Sequence, residues 1–288
     1  MRIAVLADIH GNLPALEAVG AEIDRLCPDL VFVAGDFQNR GPSPREVTEF
    51  VMDSGWPILR GNHEDYVIWQ TEESPPQDTV DYYNWLPARW TADLTGDFVE
   101  TIKRFPIALT FGGPNDRPVT IAHGSPRSNN EGFFPRTSEA KAIEMIGSNP
   151  PGLLCVGHSH LPLVRQINST LIVNVGSVGF PFDGDQRASF GIVSWEGDHW
   201  ISEIRRVAYP VRSVIEELGR VNFYEGAGPL SFLIRRELES ARPHLAPFER
   251  LFGTSVRNGK LPIQQAVEAY MAMAQADIEA EFIMTLKK

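Results

Sequence analysis

Residues 2–12 read Arg2-Ile3-Ala4-Val5-Leu6-Ala7-Asp8-Ile9-His10-Gly11-Asn12. The unbroken apolar run at 3–7 is the mark of a strand covered on both faces. It runs out into a carboxylate and an imidazole two positions apart. Asn12 is a good helix N-cap, with Pro14 near the first helical position. Leu16, Val19, Ile23 and Leu26 then recur at helical spacing until Pro28. Residues 30–34 form a second apolar strand. Pro44 opens a second helix with Val47, Phe50 and Val51 on one face, and residues 56–59 make a third strand. Strands alternating with helices predict a parallel sheet joined by right-handed crossovers.

Beyond this βαβαβ start the pattern changes. Residues 72–105 carry Pro75-Pro76 and then Tyr82, Tyr83, Trp85 and Trp90 among acidic residues, which reads as a loop and one or two helices inserted over the sheet edge. Strands are expected at 107–111, 118–122, 153–156, 162–167, 170–174, 189–196 and 199–206, with one helix at 137–147. Asn168-Ser169 and Gly197-Asp198 are hairpin-type turns between apolar runs. Pro210 divides a body, 1–210, from a helical extension, 211–288. The last helix of that extension places Ile263, Val267, Tyr270, Ala274, Ile278 and Phe282 on one stripe.

The chain has 288 residues, 43% hydrophobic, with a formal net charge of −11. That is enough for one large domain or a domain with an extension. The acidic balance argues against a dedicated nucleic-acid surface. It leaves a phosphate substrate open, because bound metal ions reverse the local field. Cys27 and Cys155 lack metal-type spacing and read as buried thiols of a reducing compartment. With a strand pattern at the start, no signal peptide and no run of 18 apolar residues, the expected setting is cytoplasmic, with no membrane partner.

Five of the seven histidines sit in four short segments: Asp8-Ile9-His10, Gly61-Asn62-His63-Glu64, His123-Gly124-Ser125 and Gly157-His158-Ser159-His160. Gly35-Asp36 adds a carboxylate. Open α/β sheets bind ligands beyond the carboxyl ends of their strands, and Asp8, Asp36 and Asn62 each fall just past an expected strand end. In extended chain, residues i and i+2 point the same way, so Asp8 with His10, and His158 with His160, could reach common ground. Asp36 could bridge two ions and Asn62 offers a neutral oxygen. Four imidazoles (His10, His123, His158, His160), two carboxylates and one amide suit Mn, Fe, Zn, Ni or Co better than Ca. Two such ions roughly 3.5–4 Å apart activate a bridging water and clamp a phosphoryl group.

The motifs DIHGN, GDFQNRG, GNHE, HGS and GHSH occur in an order that resembles the calcineurin-like metallophosphoesterase superfamily, over residues 1–206. The stretches HGSPR at 123–127 and NVGSVGFPFDGDQRASF at 174–190 look like its compact bacterial and archaeal phosphodiesterase and phosphatase branch. The resemblance implies an α/β (α+β-like) fold: an αββα four-layer sandwich of two mixed β-sheets flanked by helices, here with the helical C-terminal extension. It implies two divalent metal ions, Mn first. One takes Asp8, His10, Asp36 and His160; the other takes Asp36, Asn62, His123 and His158. His63 matches the histidine that assists the leaving group as general acid, and Arg40 matches a substrate-phosphate contact. The implied activity is hydrolysis of a small phosphodiester or phosphomonoester by a metal-bridging hydroxide. Phosphoprotein phosphatases of the superfamily read GDxxDRG, whereas this chain has Asn39 at the second aspartate. That departure places a serine/threonine phosphoprotein phosphatase second, and the intact ligand set places a non-catalytic metal-binding scaffold third.

Blander readings stand beside these. His199 and His244 are structural. Gly11 and Asn12 form a helix entry, Asn174, Gly176 and Ser177 a tight turn, and Arg127 and Arg187 ordinary surface. The aromatic cluster at 82–90 packs the insertion, with a base-stacking lid as the sharper alternative. The C-terminal stripe docks on the body, with a homo-oligomer interface through the C-terminal helices as the alternative.

Overall fold

The computed structural model describes residues 1–72, 80–274, 276–278 and 280–281, without the side chains at 80–82 and 84. Two sheets form its centre. The first has strand order β2-β1-β8-β9, from β1 (Arg2–Leu6), β2 (Leu30–Val33), β8 (Ala188–Glu196) and β9 (His199–Val207). The second has order β3-β4-β5-β7-β6, from β3 (Ala108–Phe111), β4 (Val119–Ala122), β5 (Leu153–Val156), β6 (Leu163–Ile167) and β7 (Thr170–Asn174). Both are mixed: β1 runs parallel to β2 and antiparallel to β8, while β5 runs parallel to β4 and β7, and β6 antiparallel to β7.

The period of two in β1 explains the layering. Ile3, Val5 and Ala7 point between the sheets, against Val119, Ile121, Leu153 and Val173. Ala4 and Leu6 point outward to Leu16, Val19 and Ile23 of α1 (Leu13–Leu26) and Val47 and Val51 of α2 (Pro44–Asp53). The far face of the second sheet, with Leu154, Val156 and Ile172, is covered by Ala142, Met145 and Ile146 of α6 (Glu139–Ile146). The layers are helix, sheet, sheet, helix, and β1 reads as continuous apolar sequence because both its faces are buried.

Between α2 and β3 lie α3 (Asn62–Glu72), α4 (Val80–Thr95) and the single turn α5 (Val99–Ile102). After β9 come α7 (Val211–Arg220), α8 (Phe223–Gly226), α9 (Ser231–Ser240), α10 (Leu245–Phe248), α11 (Thr254–Arg257) and α12 (Ile263–Met271). Val214, Leu218, Phe223, Ile234 and Leu238 close on Phe180 of the body. Leu230, Leu233, Phe248, Ile263, Val267, Tyr270 and Ile278 form a second cluster of the extension. No helix among the described residues is long and apolar enough to cross a membrane.

Three expectations are corrected. Residues 56–59 make only an isolated bridge, Val33 to Ile58, because Pro57 has no N–H to give a ladder. Cys27 is exposed, since it is the left-handed C-cap of α1 (φ +46°); only Cys155 is buried. The C-terminal stripe is not one helix: α12 ends at Met271, although Ile278 still reaches the same cluster. Tyr82 and Phe282 lie outside the described side chains.

Candidate metal centre

The loops after β1, β2, β4 and β5 meet at one edge of the sandwich, and the histidine-bearing segments meet with them. Asp8, His10 and His160 bring ligand atoms within 4.8 Å of one another; so do Asp36, His123 and His158, and also His10, Asp36 and His63. Asp8, His10, Asp36, Asn62, His123 and His160 are all buried. The convergence does not come from extended i, i+2 geometry. Asp8, His10, Asp36, His158 and His160 all have φ between +51° and +66°, the left-handed region. Each such residue costs about 1–3 kcal/mol, so strain is concentrated on the candidate donors themselves.

Hydrogen bonds fix which atoms face inward. A carbonyl oxygen only accepts, so each ring nitrogen against one must carry the proton. His10 Nδ1 donates to Gln38 O (3.3 Å), His123 Nδ1 to Ala34 O (2.8 Å) and His160 Nδ1 to Phe180 O (2.5 Å). Their Nε2 lone pairs therefore turn into the cluster. His10 Nε2 and His160 Nε2 face each other at 3.1 Å, and His123 Nε2 lies 3.0 Å from Asn62 Oδ1. His158 Nδ1 lies 2.8 Å from the same amide oxygen.

The carboxylates are divided in the same way. Asp8 Oδ2 accepts from the His158 backbone N–H (2.9 Å), while Asp8 Oδ1 is buried without a hydrogen-bond partner among the described residues, 3.3 Å from His160 Nε2. Asp36 Oδ1 accepts from the His63 N–H (2.7 Å), while Oδ2 lies 3.2 Å from His123 Nε2 and 3.8 Å from His10 Nε2. Opposed lone pairs in a buried pocket repel unless a cation or a proton lies among them. Imidazole, carboxylate and amide donors at these separations fit divalent metal ions.

Titration follows that negative field. Burial disfavours charge on His123, yet Asp36 and Asp8 outweigh it and hold the imidazole up at about 10. Burial also opposes ionisation of Asp36, but His123, His63 and His10 hold its carboxyl well below the usual range. Burial keeps His10 well below the ordinary imidazole value, with His63 adding to the effect. Burial and His123 hold His158 at about 4. Burial lowers His63 to about 3; Asp36 pulls upward and Arg40 downward.

His63 stands edge-on to His10, ring centroids 4.7 Å apart, and lines a cleft of ≈ 440 Å³. Asp36, Arg40, Asn62, His158 and His160 share that cleft. Its lining also includes Tyr66, Trp85, Pro87, Phe182, Leu230, Ile234 and Leu245, so α4 and the extension contribute to it. Asn39 lies beside His63, with Asn39 Nδ2 2.8 Å from His63 Nδ1.

Several residues hold the loops in place. Glu64, fully buried, accepts from the N–H groups of Gly61 (2.8 Å), Asp36 (2.8 Å) and Gln38 (2.9 Å). It thereby ties the loop after β2 to the start of α3. Burial and the neighbouring Asp36 push its carboxyl up to about 8, against the pull of the Gln38 and Gly61 N–H groups. Sequence reasoning assigned it no role. The signal was present, because a glutamate three residues after the N-cap reaches back to that N–H in a capping box, and here Gly61 and Glu64 have that spacing. The expected turn at 174–177 does more than turn the chain. Asn174 Nδ2 donates to Gly157 O (2.7 Å) and Ser159 Oγ (2.9 Å), and Ser177 Oγ donates to Asp8 O (2.7 Å).

The bland readings hold elsewhere. Asn12 caps α1 by accepting from Ala15 N. Arg127 pairs with Glu131 and Glu144, and Arg187 with Asp185, on the surface. His199 is exposed, and His244 is buried against Tyr270 and Ser240. Within the aromatic cluster, Trp90 packs against Phe223, while Trp85 stands at the cleft beside Tyr66.

The family model described as the calcineurin-like phosphoesterase superfamily domain matches residues 1–198. An uncharacterized protein of Methanocaldococcus jannaschii is 29% identical over 254 residues, covering 81% of this chain and 98% of that protein. A metallophosphoesterase from Sphaerobacter thermophilus is 26% identical with a TM-score of 0.64, covering 84% of this chain and 100% of its own. A hypothetical protein from Pyrococcus horikoshii, 20% identical with a TM-score of 0.67 over 84% of this chain and 99% of its own, shares the fold.

Two stability outcomes follow from the loop contacts. A Cβ at Gly157 would meet Ala7 Cβ at 2.4 Å and Asp8 Oδ2 at 2.5 Å, whereas one at Gly96 would meet nothing within 4 Å. Gly157→Ala should therefore cost about 1–3 kcal/mol in denaturant unfolding, an overpacking cost, and Gly96→Ala should cost less than about 0.5 kcal/mol, as open surface sites do. Equal effects would refute the close-approach account. Glu64→Gln sets an amide N–H₂ against a backbone N–H on one side or the other. It should lose about 1–3 kcal/mol, the cost of leaving a buried backbone N–H without its acceptor; an unchanged midpoint in the same titration would show that Glu64 is not the tie.

Proposed function

We propose that this chain, which belongs to the calcineurin-like phosphoesterase superfamily, hydrolyses a small phosphodiester or phosphomonoester in a metal-dependent reaction. One observation carries the reading. The facing lone pairs of His10 and His160, beside the unpartnered Asp8 Oδ1, form a buried cation-seeking pocket, and the adjoining Asp36 and His160 open to a cleft that Arg40 and His63 also line. Two divalent ions, Mn first and Fe, Zn, Ni or Co after it, suit the donors. Asp8, His10, Asp36 and His160 would hold one; Asp36, Asn62, His123 and His158 would hold the other. Bound there, they supply Lewis acidity and lower the pKa of a water.

The chain's own groups do the rest. Arg40 offers guanidinium N–H groups to the phosphoryl oxygens. His63 serves the departing oxygen through Nε2–H, and Asn39 determines how well. Asn39 Oδ1 accepts from the Arg40 backbone N–H (2.7 Å), which leaves Nδ2 as the atom facing His63 Nδ1 at 2.8 Å. An amide N–H₂ donates, so His63 Nδ1 accepts and the proton sits on Nε2. That tautomer aims a hydrogen bond at the leaving oxygen, but the partner at Nδ1 is a neutral amide, which supplies no charge to an imidazolium as a hydrogen-bonded carboxylate would. Such a site favours alcohols that leave readily. Leu230, Ile234 and Leu245 add apolar surface to the lining of the cleft, which favours a small ester over a phosphoprotein.

Manganese at 100 times its Kd should stabilise the parent by about 2.7 kcal/mol by mass action, read as a rise in Tm that a chelator reverses. Asp36→Asn should abolish that rise and the turnover together. An Asp36→Asn protein holding two manganese ions at full activity would remove the shared-carboxylate assignment. His63→Ala should lower turnover on alkyl phosphates by about 10²-fold, the scale of general-acid assistance, and on bis-nitrophenyl phosphate far less. Asn39→Asp should act in the opposite sense on alkyl phosphates, gaining about tenfold. Equal losses on both substrate types for His63→Ala, or no gain for Asn39→Asp, would count against the proton-delivery role.

A further inference from the structure

Arg40 is not a free surface cation. Its Nη1 donates to Glu237 Oε2 at 2.9 Å, across 197 residues of sequence. Glu237 lies on α9 of the C-terminal extension, and its side chain is 1% exposed. The other oxygen of that carboxylate, Oε1, accepts from the backbone N–H groups of His244 (2.8 Å) and Leu245 (3.1 Å). Glu237 is therefore fixed from its own side and grips Arg40 from the other. Arg40 Nε is buried and has no hydrogen-bond partner among the described residues, and Arg40 lines the same cleft as the candidate metal donors. The Arg40 backbone is also strained, at φ +69° directly after Asn39 at φ +66°.

We propose that Glu237 is a positioning residue for phosphate recognition: it anchors Nη1 of the Arg40 guanidinium so that the rest of the fork stays turned to a phosphoryl oxygen in the cleft. This deepens the phosphoesterase reading and rests on its assignment of Arg40. The physical gain is preorganisation. A guanidinium has five N–H donors in a rigid fork, so one edge can be tied to a carboxylate while the other stays available. An untethered arginine would lose rotamer freedom each time it met substrate, and the tether removes most of that loss beforehand. The helical extension is thereby a working part of the site, although none of its described residues belongs to the candidate metal groups.

The test is a double-mutant cycle on the full-length, manganese-saturated protein, read by calorimetric binding of inorganic phosphate and separately by kcat and KM. Arg40→Met should weaken phosphate binding. Glu237→Gln should weaken it roughly tenfold, the scale of ordering one long side chain on binding, with manganese stoichiometry unchanged and KM affected more than kcat. In the Arg40→Met background, Glu237→Gln should add nothing, because coupled residues are non-additive. If Glu237→Gln does not fold, Glu237→Asp keeps the buried charge while drawing it back from Arg40, and the same non-additivity is expected at a smaller loss. Additive losses, or parental phosphate binding by the Glu237 variants while Arg40→Met is impaired, would overturn the proposal. Parental binding by Arg40→Met would overturn both the clamp and the phosphate role of Arg40. A parent that binds phosphate through the coupled pair, yet hydrolyses no ester, would sink the catalytic reading and leave the clamp standing.

Discussion

Everything at the edge of this sandwich answers to one electrostatic conflict. Two carboxylate oxygens, three imidazole lone pairs and an amide oxygen are turned toward the same buried space. Left alone they repel, and burial removes the water that would soften the repulsion. The fold holds them together with backbone N–H groups: His158 N–H on Asp8, His63 N–H on Asp36, and three N–H groups on Glu64. On the two aspartates the N–H takes the outward oxygen and leaves the inward one uncommitted, whereas on Glu64 the N–H groups occupy both oxygens. The positive field that completes this arrangement has to come from outside the side-chain set, which is why the donor chemistry points to cations and why His123 draws a proton so strongly.

The same constraint explains the backbone. A strand that simply continued would aim alternate side chains at opposite faces. Placing both members of Asp8/His10 and of His158/His160 near one point required left-handed residues where glycine is usual. Glycine is used instead where loops touch. At Gly61 a Cβ would lie 2.1 Å from Asp36 Oδ1, and at Gly157 one would lie 2.5 Å from Asp8 Oδ2. The glycines in GNHE and GHSH are thus explained by close approach to carboxylates, while the strain is carried by the donors.

Much of the architecture was legible because its causes are local. Apolar runs marked the buried strands, Pro14 and Asn12 marked the start of α1, and the hairpin turns at 168–169 and 197–198 fell where the register places them. The failures have equally local causes. Pro57 removed a donor from a run that otherwise looked like a strand, and the C-terminal apolar stripe continued past the end of α12. Glu64 was readable in principle from capping-box spacing. Glu237 was not, because a glutamate on an amphipathic helix carries no mark of a partner 197 residues away.

The sequence by itself determined the kinds of donor, their order, and the strand ends that carry them, since residue chemistry and hydrophobic period are properties of short segments. Only the tertiary structure decided which oxygen and which ring nitrogen face inward, that the Asn39 amide turns its nitrogen toward His63, and that the C-terminal extension grips Arg40. Those are questions of hydrogen-bond partnership between loops distant in sequence. A donor's direction is set by the partner that the fold brings to its other side.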